Sequence, residues 1–321
     1  MAKINKEDIA YRAGKDDDIP HIVALLRASL GEELLPKSEN FWNWKHVINP
    51  FGKSPLAVAV HNDKIIGVRA FMQWRWEDGR KSIRALRAVD TAVHPDYQGF
   101  GIFTKLTLGL IDTCRREGYD LIFNTPNDKS RPGYIKMGWV SKGKLPVRIR
   151  FVAGISNSPM ESLLMPVSLA VELFFVKDFN PKTNGFCTPL SRQYLLWRYH
   201  EVPGQQYYGW TDKGRSMLVI VRVKKKKWVS EIRIVDIISR RDGNEAGSLR
   251  EFIRTIRKGG PSYLSCTPHD DISVNAALSR NLFLPALRVG PVVTIRKITD
   301  TFDVDSFVAH WRPAMGDMEL F

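Results

Sequence analysis

The sequence predicts an α/β protein with a mixed sheet, arranged as two successive units of similar organisation. Strand-like runs alternate with amphipathic helical patterns, as in layered α/β domains. Residues 88–104 combine a buried strand, a short loop with glycines and the start of a helix. A Trp–Pro spacing of six residues occurs twice, from Trp44 to Pro50 and from Trp197 to Pro203, and strand-like segments follow each copy.

The first unit is predicted to begin with a helix. Residues 16–20 are three aspartates followed by Ile-Pro, and acidic residues favour a helix start, so we expect a helix through Leu30. The loop at 31–40 contains carboxylates that either attract an amine or are simply solvated: Glu32, Glu33 and Glu39. Strand-like runs follow at 56–60, 64–74 and 85–93.

The loop that follows the third strand has the pattern of an anion site. Residues 88–93 are small and β-branched, and His94-Pro95 ends the strand. The next helix begins near Gly101. Free N–H groups and the helix dipole favour a phosphate at such a helix start. Gly99 and Gly101 also leave room for a ligand to approach the backbone.

This loop resembles the acetyl-CoA-binding signature of the GNAT superfamily of N-acetyltransferases. Four residues match that signature in register: Val93, Pro95, Gln98 and Gly101. Phe103 departs from it, because the family usually has a small residue there. A second stretch, residues 127–139, resembles the closing motif of the family through Tyr134, Lys136, Gly138 and Trp139. Together the two motifs cover residues 83–140.

The resemblance implies a GNAT fold, in which two central strands splay apart and acetyl-CoA binds between them as co-substrate. It also implies that a backbone N–H near Val93 polarises the thioester carbonyl. Tyr134 is implied to be the general acid that protonates the departing thiolate, or else a helix-surface residue packed on the cofactor. Asn127 either binds the pantetheine arm or caps a helix. The implied cofactor contacts are Val93, Gln98, Gly99, Phe100, Gly101, Ile102, Phe103 and Asn127.

A general base is also expected, because a lysine-like amine has a pKa near ~10.4 and must lose a proton. Asp90 is our candidate, since a carboxylate in an apolar strand is costly unless it is paired or used. By strand alternation it shares a face with Ala88 and Ala92. The alternative is an ion pair with Arg84, Arg87 or another basic residue nearby. His94 is a second candidate base, or a turn cap.

The second unit is predicted to lack the cofactor site. Its strand-like runs lie at 207–210, 217–223 and 228–238, and its helices at 247–258 and 272–281. Val235-Asp236-Ile237 repeats Val89-Asp90-Thr91, but neither GNAT motif recurs. We therefore predict a catalytic domain at 1–150, a connecting apolar helix within 151–184, and a degenerate GNAT-like domain with a C-terminal extension at 185–321. The second domain is expected to close the acceptor side of the cleft.

Composition favours a soluble cytoplasmic enzyme without metal. The cysteines Cys114, Cys187 and Cys266 are far apart, and the seven histidines are scattered, so neither a disulfide framework nor a metal site is expected. The longest apolar run, at 163–176, is too short to span a bilayer. The net charge of +14 is spread over both halves and suits an anionic ligand such as CoA. Neither nucleic acid nor a membrane is expected as a partner, and a homodimer is left open.

The sequence therefore predicts an acetyltransferase that moves an acetyl group from acetyl-CoA to a primary amine of a small molecule. The reaction would be a direct attack in a ternary complex. The alternative is a non-catalytic acyl-CoA-binding sensor or scaffold protein.

Overall fold

The computed structural model describes residues 6–31, 37–152, 158–177, 179, 184–226 and 229–319, which form two mixed β-sheets with helices. Up to residue 151 the elements are β1 (Ala10–Ala13), α1 (Ile19–Leu30), α2 (Glu39–His46), β2 (Leu56–His61), β3 (Lys64–Glu77), β4 (Ser82–Val93), α3 (Ile102–Arg116), β5 (Leu121–Asn124), α4 (Arg131–Lys136), β6 (Val140–Lys144) and β7 (Arg148–Phe151). Beyond it they are β8 (Met165–Pro166), α5 (Val167–Phe175), α6 (Arg192–Tyr199), β9 (Tyr208–Thr211), β10 (Met217–Lys226), β11 (Val229–Ser239), α7 (Glu245–Arg257), β12 (Tyr263–Cys266), α8 (Ile272–Arg280), β13 (Val292–Lys297), α9 (Val304–His310) and α10 (Met315–Met318).

The first sheet has the order β1-β2-β3-β4-β5-β13-β6. Strands β1 to β4 form an antiparallel meander, and β5 then runs parallel to β4. The parallel pairing joins only residues 85–87 of β4 to residues 121–123 of β5, although β4 continues to Val93. The two strands therefore part over the last six residues of β4, as the predicted GNAT fold requires.

A β-bulge interrupts β4 where the strands have parted. Arg69 of β3 lies opposite Thr91 and Ala70 opposite Val89, so Asp90 is the extra residue. Its φ of 34° is in the left-handed region, which is uncommon for a residue with a side chain. The bulge also breaks the alternation of side chains along the strand. Ala88 packs beneath α3 whereas Ala92 packs beneath α1, so the predicted common face of these two alanines is wrong.

Helices α1 and α3 cover opposite faces of the first sheet. Val68 and Ala70 of β3 pack against α1. The first turn of α3 packs against the opposite face of β3. At Gly67 a Cβ atom would lie 2.8 Å from Ile102 Cγ2, so only glycine allows α3 to approach β3 this closely. Helix α1 ends at Leu30 as predicted. Glu32 and Glu33 lie outside the described residues, and Glu39 begins α2.

The second sheet has the order β7-β12-β11-β10-β9-β8. Its antiparallel strands β9 to β11 follow α6 in the chain. Helix α7 comes next, and β12 then runs parallel to β11. This is the same succession as α2, β2 to β4, α3 and β5 in the first half. Helix α5, predicted at 163–176, covers Val167–Phe175 and contacts β9 and α6. No described helix combines the length and the apolar character that crossing a membrane requires.

The two halves exchange strands, so the predicted boundaries after residues 150 and 184 do not separate two complete sheets. β7 pairs with β12 in the second sheet, and β13 inserts between β5 and β6 in the first. Local sequence patterns predict that a strand exists, but not which distant strand it pairs with. The boundaries therefore describe the order of elements along the chain rather than independent folding units.

The halves also share one apolar core, which is centred on the two Trp–Pro copies. The rings of Trp44 and Trp197 stack with centroids 5.0 Å apart. Each indole N–H donates to the backbone carbonyl of the other tryptophan, at 2.7 and 2.9 Å. Equivalent residues of α2 and α6 thus form a reciprocal contact. Phe307 and Trp311 of the C-terminal extension are buried in the same core, so the extension docks on its own chain.

Candidate active site

A cleft of about 650 Å³ opens where β4 and β5 part. One wall is the end of β4, and the facing wall is the loop and first turn of α4. One end is closed by residues 98–101, which we call the glycine loop, and by the start of α3. The last turn of α1 contributes Ser29 and Leu30. Seven of the eight predicted cofactor contacts line this cleft: Val93, Gln98, Gly99, Gly101, Ile102, Phe103 and Asn127. Phe100 does not line it. Its ring lies beside that of Tyr97 and packs against the cluster formed by Ile9, Ala59, Ile66, Ile102 and Leu106.

The glycine loop owes its shape to two left-handed residues. Gly99 has a φ of 82° and Gly101 a φ of 78°, a region that side chains disfavour. A Cβ atom at either position would contact nothing within 4 Å, so backbone conformation rather than space requires glycine here. Gly101 is the N-cap of α3, a helix of 15 residues. The first amides of that helix therefore lie at the cleft without intrahelical acceptors and suit an anion.

The backbone N–H of Val93 faces the open edge of β4. His94 N–H donates to Ile66 O of β3 at 2.8 Å. Successive residues of a strand direct their backbone groups to opposite edges, so those of Val93 point away from β3. The carbonyl of Val93 agrees with this, because it accepts from Ser29 Oγ of α1 at 3.3 Å. The His94 ring accepts from Asp96 N at 3.3 Å, which is a turn-capping role.

Tyr134 lies behind the cleft rather than on a helix surface. Its side chain is 5 % exposed, and its hydroxyl accepts a hydrogen bond from Arg69 Nη1 at 2.9 Å. Its ring meets the edge of Phe103, with centroids 5.7 Å apart. Phe103 and Gly133 line the cleft, so Phe103 stands between the cleft and the phenol ring. The predicted alternative of a surface tyrosine is therefore wrong.

Asn127 has a capping role in this structure. Its Oδ1 accepts from Ser130 N at 2.9 Å, and its carbonyl accepts from Arg131 N at 3.0 Å. These bonds shape the turn that leads into α4. Asn127 also lines the cleft, so the capping role and the predicted contact with the cofactor are compatible.

Asp90 forms the ion pair of the alternative prediction, with other basic residues than the two arginines named there. Its Oδ2 lies 2.7 Å from Lys45 Nζ and 2.8 Å from His46 Nε2, both in α2. Arg84 instead donates to the carbonyl of Glu117 at the end of α3, and Arg87 to those of the C-terminal segment. The sequence does not show this pairing, because the contact between α2 and the bulge is long-range.

The ion pair argues against Asp90 as a general base. Burial would raise the pKa of its carboxyl, but Lys45 and His46 outweigh burial and hold that pKa well below its usual range. A carboxylate with so low a pKa accepts a proton poorly. Burial lowers the pKa of His46, whose Nδ1 lies 2.9 Å from Ser54 Oγ. We therefore correct the predicted role of Asp90 from base to buried anchor of α2.

The corresponding opening in the second sheet is nearly filled. β11 and β12 pair only over residues 231–233 and 263–265 before they part. The space beyond measures about 50 Å³, enough for water but not for a cofactor. Its walls include Cys187, Asp236, His269 and Asp317. Tyr199 donates to Asp236 at 2.7 Å, which repeats the His46–Asp90 contact of the first half with another residue pair.

Within the described part of the chain, no group of three or more His, Cys, Asp or Glu side chains is arranged to hold a metal ion. Sequence reasoning also missed Arg69, which donates a hydrogen bond to the Tyr134 hydroxyl. An arginine inside a strand carries no motif, and its burial depends on α3 and α4 packing over it.

Comparisons with known proteins agree with the geometry. The model of the Acetyltransferase (GNAT) domain family matches residues 10–141. A GCN5-related N-acetyltransferase from Anabaena variabilis superposes with a TM-score of 0.62 and 14% identity, over 91% of this chain and 73% of that one. A probable N-acyltransferase of unknown function from Enterococcus faecalis superposes with a TM-score of 0.64 and 9% identity, over 90% of this chain and 73% of that one. Eis1 from Mycobacterium abscessus superposes with a TM-score of 0.56 and 14% identity, over 94% of this chain and 75% of that one. These likenesses concern the fold and extend over both halves. No curated protein matches the sequence.

Proposed function

Because residues 10–141 match the model of the GNAT acetyltransferase domain, we propose that the chain transfers an acetyl group from acetyl-CoA to a primary amine of a small molecule. The amine nitrogen attacks the thioester carbonyl, the new C–N bond forms, and CoA leaves as a thiolate. The observation that carries this proposal is the cleft itself. It lies at the parting of β4 and β5, and the glycine loop and the N-terminus of α3 form one end.

The glycine loop would hold the pyrophosphate of CoA. The amides at the start of α3 supply donors, and the helix dipole adds positive potential at the same place. The Val93 N–H, directed to the open edge of β4, would donate to the thioester oxygen. A fixed donor of this kind stabilises the negative charge that develops on that oxygen during attack.

Tyr134 would return a proton to the CoA sulfur. Its position supports this role, because the phenol ring contacts Phe103, which lines the cleft. The amine would lose its proton to solvent rather than to Asp90, whose charge is committed to Lys45. The same placement of Tyr134 behind Phe103 also favours the second candidate, an acyl-CoA-binding protein without turnover.

A small acceptor is favoured by what surrounds the parting strands. Arg87, the last residue of β4 that pairs with β5, donates to the carbonyls of Asp317 and Met318 at 2.8 and 3.0 Å. The C-terminal segment thus covers the first sheet close to the point of parting. A sheet covered at this point suits a small amine better than a folded protein.

The proposal is tested first by calorimetry with acetyl-CoA on the wild type and on Gly101→Glu. The new carboxylate at the start of α3 repels the pyrophosphate, and a residue with a side chain disfavours the left-handed backbone at this position. We therefore expect binding to be lost in the variant. Thiol release with a panel of small amines then measures turnover. Binding without turnover on any amine would support the sensor function. A wild type that binds no acetyl-CoA would refute both.

A further inference from the structure

Arg69 is a buried cation that has no carboxylate partner among the residues that the structure describes. It lies on β3 with 0 % of its surface exposed. Its one hydrogen bond runs from Nη1 to the Tyr134 hydroxyl, and in the described part of the chain Nε and Nη2 have no partner. A buried charge is costly unless it is paired, so a guanidinium in this position needs an explanation.

Aromatic rings compensate the charge only in part. The guanidinium carbon lies 4.7 Å from the ring centre of Phe71, 5.4 Å from that of Tyr134 and 5.7 Å from that of Phe103. Ring faces attract cations, but much less strongly than a carboxylate does. One of these rings is that of Tyr134, the proposed proton donor, and another is that of Phe103, which contacts Tyr134. The surroundings of Arg69 are therefore suited to a negative charge that arises on or beside Tyr134.

We infer that Arg69 is a positioning residue for proton transfer by Tyr134, an inference that rests on the function proposed above. Because Arg69 occupies a lone pair of the phenol oxygen, the phenol proton must point elsewhere. We assign it to the side of Phe103, whose ring contacts that of Tyr134 and lines the cleft. When the O–H bond breaks and the S–H bond of CoA forms, a phenolate remains next to the guanidinium. The phenolate regains a proton from the solvent that received the proton of the amine.

The guanidinium is better suited to this task than an ammonium. It keeps its charge when buried, and its planar geometry fixes the direction of the donated bond. The alternative is that Arg69 only fastens α4 to β3. A purely structural role would affect activity whether or not Tyr134 carries a hydroxyl, and this difference separates the two explanations.

The test is a double-mutant cycle with Arg69→Met and Tyr134→Phe, read as kcat for acetyl transfer. Methionine fills similar volume without the buried charge, so we expect R69M to fold and to bind acetyl-CoA within about 2-fold of the wild type. We expect R69M to lower kcat by about 10- to 100-fold, a part of the usual contribution of a general acid. In the Y134F background the same change should alter kcat by less than about 2-fold. An equal loss in both backgrounds would overturn the inference.

Two further readouts do not depend on protein stability. The alkaline limb of the kcat–pH profile should move to higher pH in R69M, because the cation that favours the phenolate is gone. Arg69→Lys, which keeps the charge but not the geometry, should recover part of the rate. If the wild type has no turnover, NMR of tyrosines labelled at Cζ still decides. The signal that Y134F lacks should titrate at higher pH in R69M than in the wild type, and identical titrations would refute the role of Arg69.

Discussion

At the residue scale, Asp90 holds together two parts of the first half that are distant in sequence. Its carboxylate binds Lys45, whose side chain is 2 % exposed, and His46 in the same helix. The left-handed bulge places the carboxylate within reach of α2. The residues directly after the bulge, Thr91 to Val93, line the cleft. The anchor of α2 and the wall of the cleft are therefore parts of one strand segment.

We expect Asp90→Asn to lower the free energy of unfolding by about 3–5 kcal/mol, because it leaves the Lys45 ammonium buried without a counter-charge. Urea denaturation of the wild type and the variant measures the change. The matched control is the double variant with Lys45→Met, which removes the stranded charge and should recover most of the loss. A double variant as unstable as Asp90→Asn would contradict this account of the ion pair.

Sequence reasoning located those residues of the cleft whose positions depend on local backbone structure. Gly99, Gly101 and Gln98 shape a loop that is determined within a few residues, and all three line the cleft. It did not identify Arg69 or the partners of Asp90, whose roles depend on helices packed over the strand. Phe100 shows the limit within the motif, because its backbone belongs to the loop while its ring faces another cluster.

At the element scale, the position of α3 depends on a glycine in the neighbouring strand. Gly67 lets Ile102 and Leu106 approach β3, and a Cβ atom there would lie 3.1 Å from Leu106 Cδ1. Ile102 is the first residue of α3 and lines the cleft. A displacement of the helix at this contact would therefore move the amides that are proposed to bind pyrophosphate.

We expect Gly67→Ala to weaken acetyl-CoA binding by roughly 10-fold and to lower stability by about 1–3 kcal/mol, because the added methyl group overpacks the contact with α3. Calorimetry and thermal unfolding measure the two effects. Gly109→Ala is the matched control, since a Cβ atom there contacts nothing within 4 Å in the middle of the same helix. It should leave binding unchanged and raise stability by about 0.5–1 kcal/mol. Similar effects of both variants on binding would argue against the packing explanation.

At the scale of the whole molecule, Asp236 and Asp317 are buried carboxyls at the interface between the C-terminal segment and the second sheet. Asp236 of β11 accepts from Tyr199, and Asp317 of α10 accepts from Thr188 at 2.8 Å. Burial raises the pKa of Asp236 to about 7, and the charge of Asp317 adds to this effect. Burial raises the pKa of Asp317 as well. The interface therefore retains a proton at a pH at which an unfolded chain would release it.

The raised pKa makes the contribution of Asp236 to stability dependent on pH. The contribution is complete below about pH 4, where folded and unfolded chains are both protonated, and is lost as the pH rises through about 7. With 1.36 kcal/mol per pKa unit, the loss is on the order of 4 kcal/mol. Asp236→Asn keeps the hydrogen bond and cannot ionise. Urea denaturation from pH 4 to 8 should show the wild type losing stability relative to this variant, whereas a constant difference would mean that Asp236 does not retain its proton.

The strand exchange was beyond prediction from sequence, and it has a consequence for the order of events during synthesis. β13 completes the sheet that contains the cleft, but the ribosome makes residues 292–297 only after almost all of the second half. The first sheet is therefore incomplete until these residues have been made. The half that contains the cleft cannot reach its native state before most of the second half has been synthesised.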